Sequence, residues 1–553
     1  MNKLLIIIFL IFVLFISQSQ AIEKEYARKF INSLKNKDFC SKTFLELEKT
    51  DLREVVLLLS SSSCSKEVVS NLPLPKNPYG KLEIAKALKE IGSEEKAKEI
   101  YSEIFKETNS LDEDILTENS GKIEYLFKPK VLRRKVWRAA KNREIGKALF
   151  YLDYLKDDPF YGYLLAYTLL KAGKRELSKK FFKMASDTVP ESFFFLTYLS
   201  KEYPEKFFYY EKLMKSSARK SFKRLASVYI LDKFFMNDFG LFRKALELSR
   251  VFPDIYNYYL ARYYVFNFQC EKLKKLPQSR EVRALEEACG VKHFKWKGKT
   301  DFYSLLLSPP KKFLVGRKSV FRSLKLRNKG LLELYKNNLC YVISLIDRPS
   351  PQNALAQYLC GNYKKGIKLA LPFRKKINKY PYLLAVLYPK PSVFENDVYS
   401  LSIARQESLF EKRALSRSGA IGLMQIMPKT GKYIAKKLKV SSFKSSDLFD
   451  EETNYRFGSY YIHNLLREFK LFPLAAAGYN GGPSRVRRAI KLFKFPKTPK
   501  DLILLNEVFI PFSETRNYVK RTYVNLYFYS NLYGKGNEWK IFSRHQQKDS
   551  REH

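Results

Sequence analysis

YGYLLAYTLLKAGKRELSKKFFKMA, residues 161–185, sets apolar side chains at helical spacing on both sides of a single glycine, Gly173. Glycine enters the left-handed region at little cost and so ends a helix, which predicts two helices with the break at Gly173. The same arrangement recurs in Leu82–Glu107 about Gly92 and in Ala356–Ala370 about Gly361. An apolar helix, a Gly or Asn, then a basic amphipathic helix: this order runs from about Ile22 to Pro389. Its intervals are irregular. It therefore predicts a solenoid-like α-superhelical region, or an ordinary all-α globule, and not a strict repeat array. No constellation in residues 22–389 suggests chemistry, so this part of the chain reads as scaffold.

The composition agrees. Of 553 residues, 45% are apolar and 15% aromatic, enough for large packed cores and against wholesale disorder. Only 22 are Gly, fewer than strands joined by tight turns usually need. The predicted class is mainly α, and the length argues for more than one domain.

At the N-terminus, Lys3 precedes an unbroken apolar run from Leu4 to Ile16, then Ser17-Gln-Ser-Gln-Ala21. This is the pattern of a cleaved signal peptide over residues 1–21. The apolar run is short for a membrane span, which takes about 20 residues, although a retained anchor is the other reading. The first cysteine is Cys40, so an acylated N-terminal cysteine is not expected. The expectation is an exported, periplasmic protein that is not a lipoprotein.

Lys and Arg number 102 against 56 Asp and Glu, a formal charge of +46. Such a charge would suit nucleic acid through counterion release, but export removes that partner. Outside the cytoplasm it suits an acidic polymer or an anionic membrane face, or is simply a solvated surface. The densest run, Lys311–Lys329, carries eight Lys or Arg and no acid. The six cysteines fall into neighbour pairs, Cys40 with Cys64, Cys270 with Cys289 and Cys340 with Cys360, which in an oxidising compartment suggests one disulfide per helical hairpin. None forms a CxxC pair and His is scarce, so no metal site is expected.

Prolines at Pro389 and Pro391 interrupt the helical pattern and predict a boundary there, with a second domain over 390–542 and a polar tail over 543–553. Four segments of this second domain could carry chemistry. In Val398–Ser408, the apolar Ile403 and Ala404 lie four and three residues before Glu407, on one helix face with it. Burial there should raise the Glu407 pKa, as a general acid at neutral pH requires. Gly419–Pro428 (GAIGLMQIMP) offers two glycines three apart, with Met424 and Gln425 as an apolar and an amide contact of the kind that suits sugar rings. Ala477–Val486 (AGYNGGPSRV) ends a small-residue helix at a Gly-Gly-Pro turn, with Tyr479 and Asn480 just before the break. Ile510–Val519 (IPFSETRNYV) has Ser513 as a plausible N-cap and Glu514 in the first turn, where it either meets a ligand or complements the helix dipole.

In this order the four words ARQES, GAIGLMQIMP, AGYNGGPSRV and IPFSETRNYV resemble the soluble lytic transglycosylase family of the lysozyme-like superfamily. The resemblance covers about residues 398–533. It implies a lysozyme-like α domain with a little β structure behind the superhelical region. One departure is the Gly-Gly-Pro of the third word, where the family pattern expects Ala-Gly-Pro. The implied reaction cleaves the β-1,4 bond between N-acetylmuramic acid and N-acetylglucosamine in peptidoglycan and leaves a 1,6-anhydro product. Glu407 would act as acid and then as base. Ser408, Met424, Gln425, Tyr479, Asn480 and Glu514 would bind the glycan strand, with Tyr479 near the Glu407 carboxyl to orient it. No cofactor is implied. The expected partner is the peptidoglycan strand, with contacts to wall-synthesis proteins or the membrane surface possible, and the protein is expected to be a monomer. A hydrolase on the same fold and a non-catalytic wall-binding scaffold are the alternatives.

Overall fold

Gly92, Gly173 and Gly361 all take positive φ, at +82°, +83° and +75°. Each closes its helix in the same way, with the next residue's N–H donating back to a carbonyl five residues earlier: Ser93 to Leu88, Lys174 to Leu169 and Asn362 to Gln357. In this computed structural model the hairpins around them are Pro78–Glu90 with Glu94–Glu107, Tyr161–Lys171 with Arg175–Met184, and Pro351–Leu359 with Tyr363–Ala370. Further breaks use residues that the glycine signal does not flag. Arg143, Phe268 and Asn338 also have positive φ, and the residues after them make the same backward bond.

The structure describes residues 78–107, 129–296, 300–344, 348–416 and 418–542, the stretch 64–75, and positions 40, 45, 60 and 346. The signal-peptide and tail expectations, residues 1–21 and 543–553, lie outside the described residues. Among the described residues no helix is long and apolar enough to cross a membrane. The fold is mainly α, as the composition predicts. The only β structure described is a pair of isolated bridges, Leu415 with Ile421 and Ile421 with Ile426. All three cysteine pairs are joined as neighbour spacing suggests. In the Lys311–Lys329 run every basic side chain is exposed, with Val320 buried beneath them.

The chain divides into two compact units. One comprises residues 1–164 and 314–389 and consists of helical hairpins where it is described. The other combines residues 165–313 with 390–553, so part of the helical region shares a body with the C-terminal segments. Within that second body the helices that build the site are α1 (Val398–Glu407), α2 (Pro428–Lys437), α3 (Glu451–Phe469), α4 (Phe472–Gly481), α5 (Pro483–Leu492) and α6 (Ser513–Tyr533).

A buried ionic cluster ties the two sequence segments of this body together. Arg262 Nε donates to the Glu507 carbonyl at 2.7 Å and Nη2 to the Val508 carbonyl at 3.0 Å. Residues Leu505–Phe509 form a turn of π-helix, whose wider ladder leaves carbonyls open to such a donor. The Glu507 carboxylate accepts from Tyr258 at 2.7 Å and Tyr303 at 2.9 Å. Asp232 lies between Arg516 Nη2, at 2.8 Å, and Arg262 Nη1, at 3.5 Å, and also accepts from the Ser513 N–H at 2.6 Å. Burial alone would raise the pKa of Asp232, but the two guanidinium groups outweigh it and hold the carboxyl below its usual value. The first turns of α6 are thereby anchored on Asp232.

Candidate active site

Asp397 caps α1. Its carboxylate accepts from the Ser400 N–H at 3.1 Å and from Ser459 Oγ at 2.9 Å, and lies 3.1 Å from His463 Nε2, which fastens the start of α1 to α3. Leu401, Ile403 and Ala404 are fully buried, so the helix turns its apolar face inward and carries Glu407 with it at its last residue. There the helix stops abruptly. Leu409 and Phe410 both have positive φ, at 54° and 64°, which costs non-glycine residues about 1–3 kcal/mol each and persists only where packing enforces it. Phe410 packs edge-on to Phe394 at 5.5 Å, and Ser408 Oγ donates to the Leu423 carbonyl at 2.7 Å.

Burial pushes the Glu407 carboxyl up to about 7, in the direction that the helix pattern predicts. Two smaller influences act on it. Tyr518 Oη donates to Glu407 Oε1 at 2.7 Å, which favours the charged form, and the negative charge of Glu514 disfavours it. Tyr518 is buried on α6, and its phenol is pushed well above its ordinary value by burial and then by the Glu407 charge.

Asn454 makes three of the hydrogen bonds that hold the glycine loop. Asn454 on α3 is fully buried; its Oδ1 accepts from the Met424 N–H at 2.8 Å, and its Nδ2 donates to the carbonyls of Ile421 and Leu448 at 2.9 and 2.7 Å. Gly422, at φ +79°, sits where a Cβ would collide with Asn454 and the Leu448 carbonyl. Only glycine allows that approach. Gln425, also at positive φ, donates through Nε2 to the carbonyls of Ala414 and Gly422 at 3.1 and 2.9 Å.

The expected binding residues divide into two groups. Gln425, Tyr479 and Asn480 are half-buried, and Glu514 is exposed. Ser408 and Met424 are turned inward. Met424 is fully buried with its side chain against Gly458 of α3, and its carbonyl accepts from Tyr479 Oη at 2.8 Å. Met424 thus packs as core at this site, because the missing Cβ of Gly458 makes room for it. The phenol expected to orient Glu407 was Tyr479. Its pKa is pushed well up by burial and then by the Glu407 charge, so the two are neighbours, but the hydrogen bond to the carboxyl comes from Tyr518. Asn480 accepts from Thr515 Oγ1 at 2.8 Å, joining the end of α4 to the start of α6. Sequence reasoning missed Tyr518, Thr515 and Asn454. Tyr518 had a usable signal: it follows Glu514 by four residues, on the same helix face.

Residues 395–502 match the family model of the transglycosylase SLT domain. The soluble lytic murein transglycosylase of Escherichia coli K12 is 39% identical over 126 residues, 22% of this chain and 19% of that protein. Over this segment the chain resembles the soluble lytic murein transglycosylases. A putative soluble lytic murein transglycosylase of Haemophilus influenzae is 32% identical over 151 residues, 27% of this chain and 24% of that one. The matches span about a fifth to a quarter of the length of these relatives. The similarity of fold is wider. The crystal structure of the 70-kDa soluble lytic transglycosylase of E. coli superposes with a TM-score of 0.55 over 94% of both chains, at 16% identity. A complex of the 70-kDa soluble lytic transglycosylase with bulgecin A gives a TM-score of 0.53 at 17% identity, over 94% of this chain and 90% of that one. The SLT domain runs from just before α1 to Pro499–Leu504, so it includes Glu407, Gln425 and Tyr479 but ends before Tyr518.

Proposed function

We propose that this protein is an exported murein lytic transglycosylase in which Glu407 is the single catalytic carboxylate. The observation that carries the reading is a carboxyl pushed up to about 7 by burial, at a helix end, hydrogen-bonded by a buried phenol. Such a group is partly protonated at neutral pH and can work as acid and as base. As acid, Glu407 gives its proton to the glycosidic oxygen while the C1–O bond breaks. As carboxylate, it takes the proton of the muramyl C6 hydroxyl while that oxygen bonds to C1, closing the 1,6-anhydro ring and restoring the acid. Glycosidases usually position a second carboxylate to act as nucleophile or to activate water. Here an internal hydroxyl held beside C1 replaces that water, so proximity does the work of the second base. Gln425, Tyr479 and Asn480 would meet the sugars, Glu514 would stand at the open rim, and Ser408 and Met424 would support the wall from behind. The scheme uses no metal or cofactor.

The deciding test is mass spectrometry of muropeptides released from purified sacculi by residues 22–553. Products one water lighter, ending in 1,6-anhydromuramic acid, are expected. Reducing ends would make the protein a hydrolase instead. Absence of products with binding retained would leave a wall-binding scaffold.

Tyr518→Phe tests the positioning of Glu407. The lost bond favoured the charged form, so the Glu407 pKa should rise further. The alkaline limb of the pH–rate profile, where the acid is lost, should then move to higher pH. The proton-donating step should slow by roughly ten- to a hundred-fold, the worth of one hydrogen bond to the carboxylate that this step leaves behind. An unmoved limb would mean that the phenol does not act on Glu407.

A further inference from the structure

A cavity of about 470 Å³ in the Leu165–Phe313 part of the second body is lined by five basic side chains, Arg175, Lys179, Lys201, Lys206 and Lys233, and by one acid, Glu176. Two of the five have carboxylate partners: Lys179 pairs with Glu205 at 2.8 Å, and Lys201 lies 3.9 Å from Glu176. Arg175, Lys206 and Lys233 make no carboxylate ion pair among the described residues. Lys206 is only 6% exposed, and its ammonium is met by neutral oxygens alone, the carbonyls of Thr197 and Ser200 and the Tyr229 hydroxyl. Burial, and then the repulsion of Lys233, holds its pKa down to about 8; the attraction of Glu205, itself paired with Lys179, works against this, and Lys179 and Arg175 add smaller repulsions. A nearly buried ammonium with no carboxylate in contact, in a cavity where five basic side chains meet one acid, is an arrangement that an anion would complete.

The aromatic residues give the cavity a second character. Tyr198, half exposed, lies 5.5 Å from Tyr229 between ring centroids. Lys233 stands over both the Tyr229 and the Phe512 rings, at 5.8 and 5.0 Å, and Arg485 of α5 stands over Phe512 at 5.0 Å. Phe512 immediately precedes Ser513, the first residue of the helix that carries Tyr518. The cavity is therefore built onto the root of the helix that serves Glu407.

We propose that this cavity binds the free carboxylates of the peptide stems carried by the glycan substrate. The glycan itself is nearly uncharged, since its N-acetyl groups are neutral and the lactyl carboxyl of each muramyl residue is used up in the amide to its stem. The negative charge of a murein strand therefore sits on the stems. Cations answer those carboxylates, and the exposed face of Tyr198 answers their short alkyl side chains. The assignment rests on the proposed reaction only for the identity of the polymer.

The test is direct binding of the synthetic stem tetrapeptide L-Ala-γ-D-Glu-diaminopimelate-D-Ala to the full chain, followed by calorimetry or NMR, with no turnover required. Saturable binding that weakens as salt rises is expected. The double variant Arg175→Gln with Lys233→Gln should bind roughly ten-fold more weakly, the size of one lost charge-assisted contact. Amidation of the peptide carboxylates should abolish binding. On sacculi the double variant should show a raised KM at unchanged kcat, and on stem-free glycan strands it should match the parent protein. Equal binding by the double variant or by the amidated peptide would overturn the proposal. Displacement of the peptide by an equal concentration of inorganic phosphate would make this a general anion site and overturn it too. Peptide binding without glycan cleavage would sink the transglycosylase reading and leave this site standing. Cleavage without peptide binding would do the reverse.

Discussion

Glu407→Gln is expected to abolish turnover on sacculi while the fold and sacculus binding persist. One residue serves both proton transfers, each of which typically contributes about 10²–10⁴-fold, so the combined loss should exceed roughly four orders of magnitude. Substantial residual lysis would remove Glu407 from the mechanism. The same variant carries a stability signature that a normally titrating glutamate would lack. Because burial raises the Glu407 pKa from 4.5 to about 7, the folded state holds a proton that the unfolded chain releases in that window. The native protein therefore loses stability as pH rises from about 4.5 to 7, by roughly 2–4 kcal/mol in all, and a neutral Gln escapes this loss. Thermal melts should show the variant more stable than the parent at about pH 8, with the difference vanishing below about pH 4.5. A pH-independent difference would mean that Glu407 titrates normally.

Asp232→Ala should be the most damaging change outside the site, lowering stability by about 3–5 kcal/mol. It would leave Arg262 and Arg516, both essentially inaccessible to solvent, as two buried cations with their shared carboxylate gone. It would also release the Ser513 N–H and the Arg516 side chain that fasten the start of α6. The control is Asp254→Asn, which breaks the exposed pair with Arg224; surface pairs are worth about 0–1 kcal/mol, so the denaturation midpoint should barely move. Comparable losses at the two positions would mean that the buried cluster does not hold this body together. Asp232 is held below its usual pKa, so its contribution is present above the normal carboxylate range and fades as acid protonates it.

Much of this architecture was legible because it is local. Left-handed glycines end helices by short-range sterics, so Gly92, Gly173 and Gly361 marked hairpins in the sequence before any packing was known. Arg143 and Phe268 make the same turn without the composition that announces it; both side chains are exposed, and what closes each turn is the backward hydrogen bond of the next residue's N–H. The neighbour pairing of cysteines was readable for a similar reason: the partners lie only 19 to 24 residues apart in the chain. Glu407 was also legible, since the apolar residues three and four before it set its helix face.

What the sequence by itself determined is therefore the mainly helical class, the hairpin breaks and a carboxylate set on a buried helix face. These follow from interactions within a few residues, where chain sterics and side-chain periodicity act alone. Only the tertiary structure decided which phenol meets Glu407, that Met424 turns into the core against Gly458, and that Asp232 anchors a helix beginning 281 residues later. Contacts of that kind depend on which elements pack side by side, and desolvation of a charge becomes defined only when the chain around it has closed.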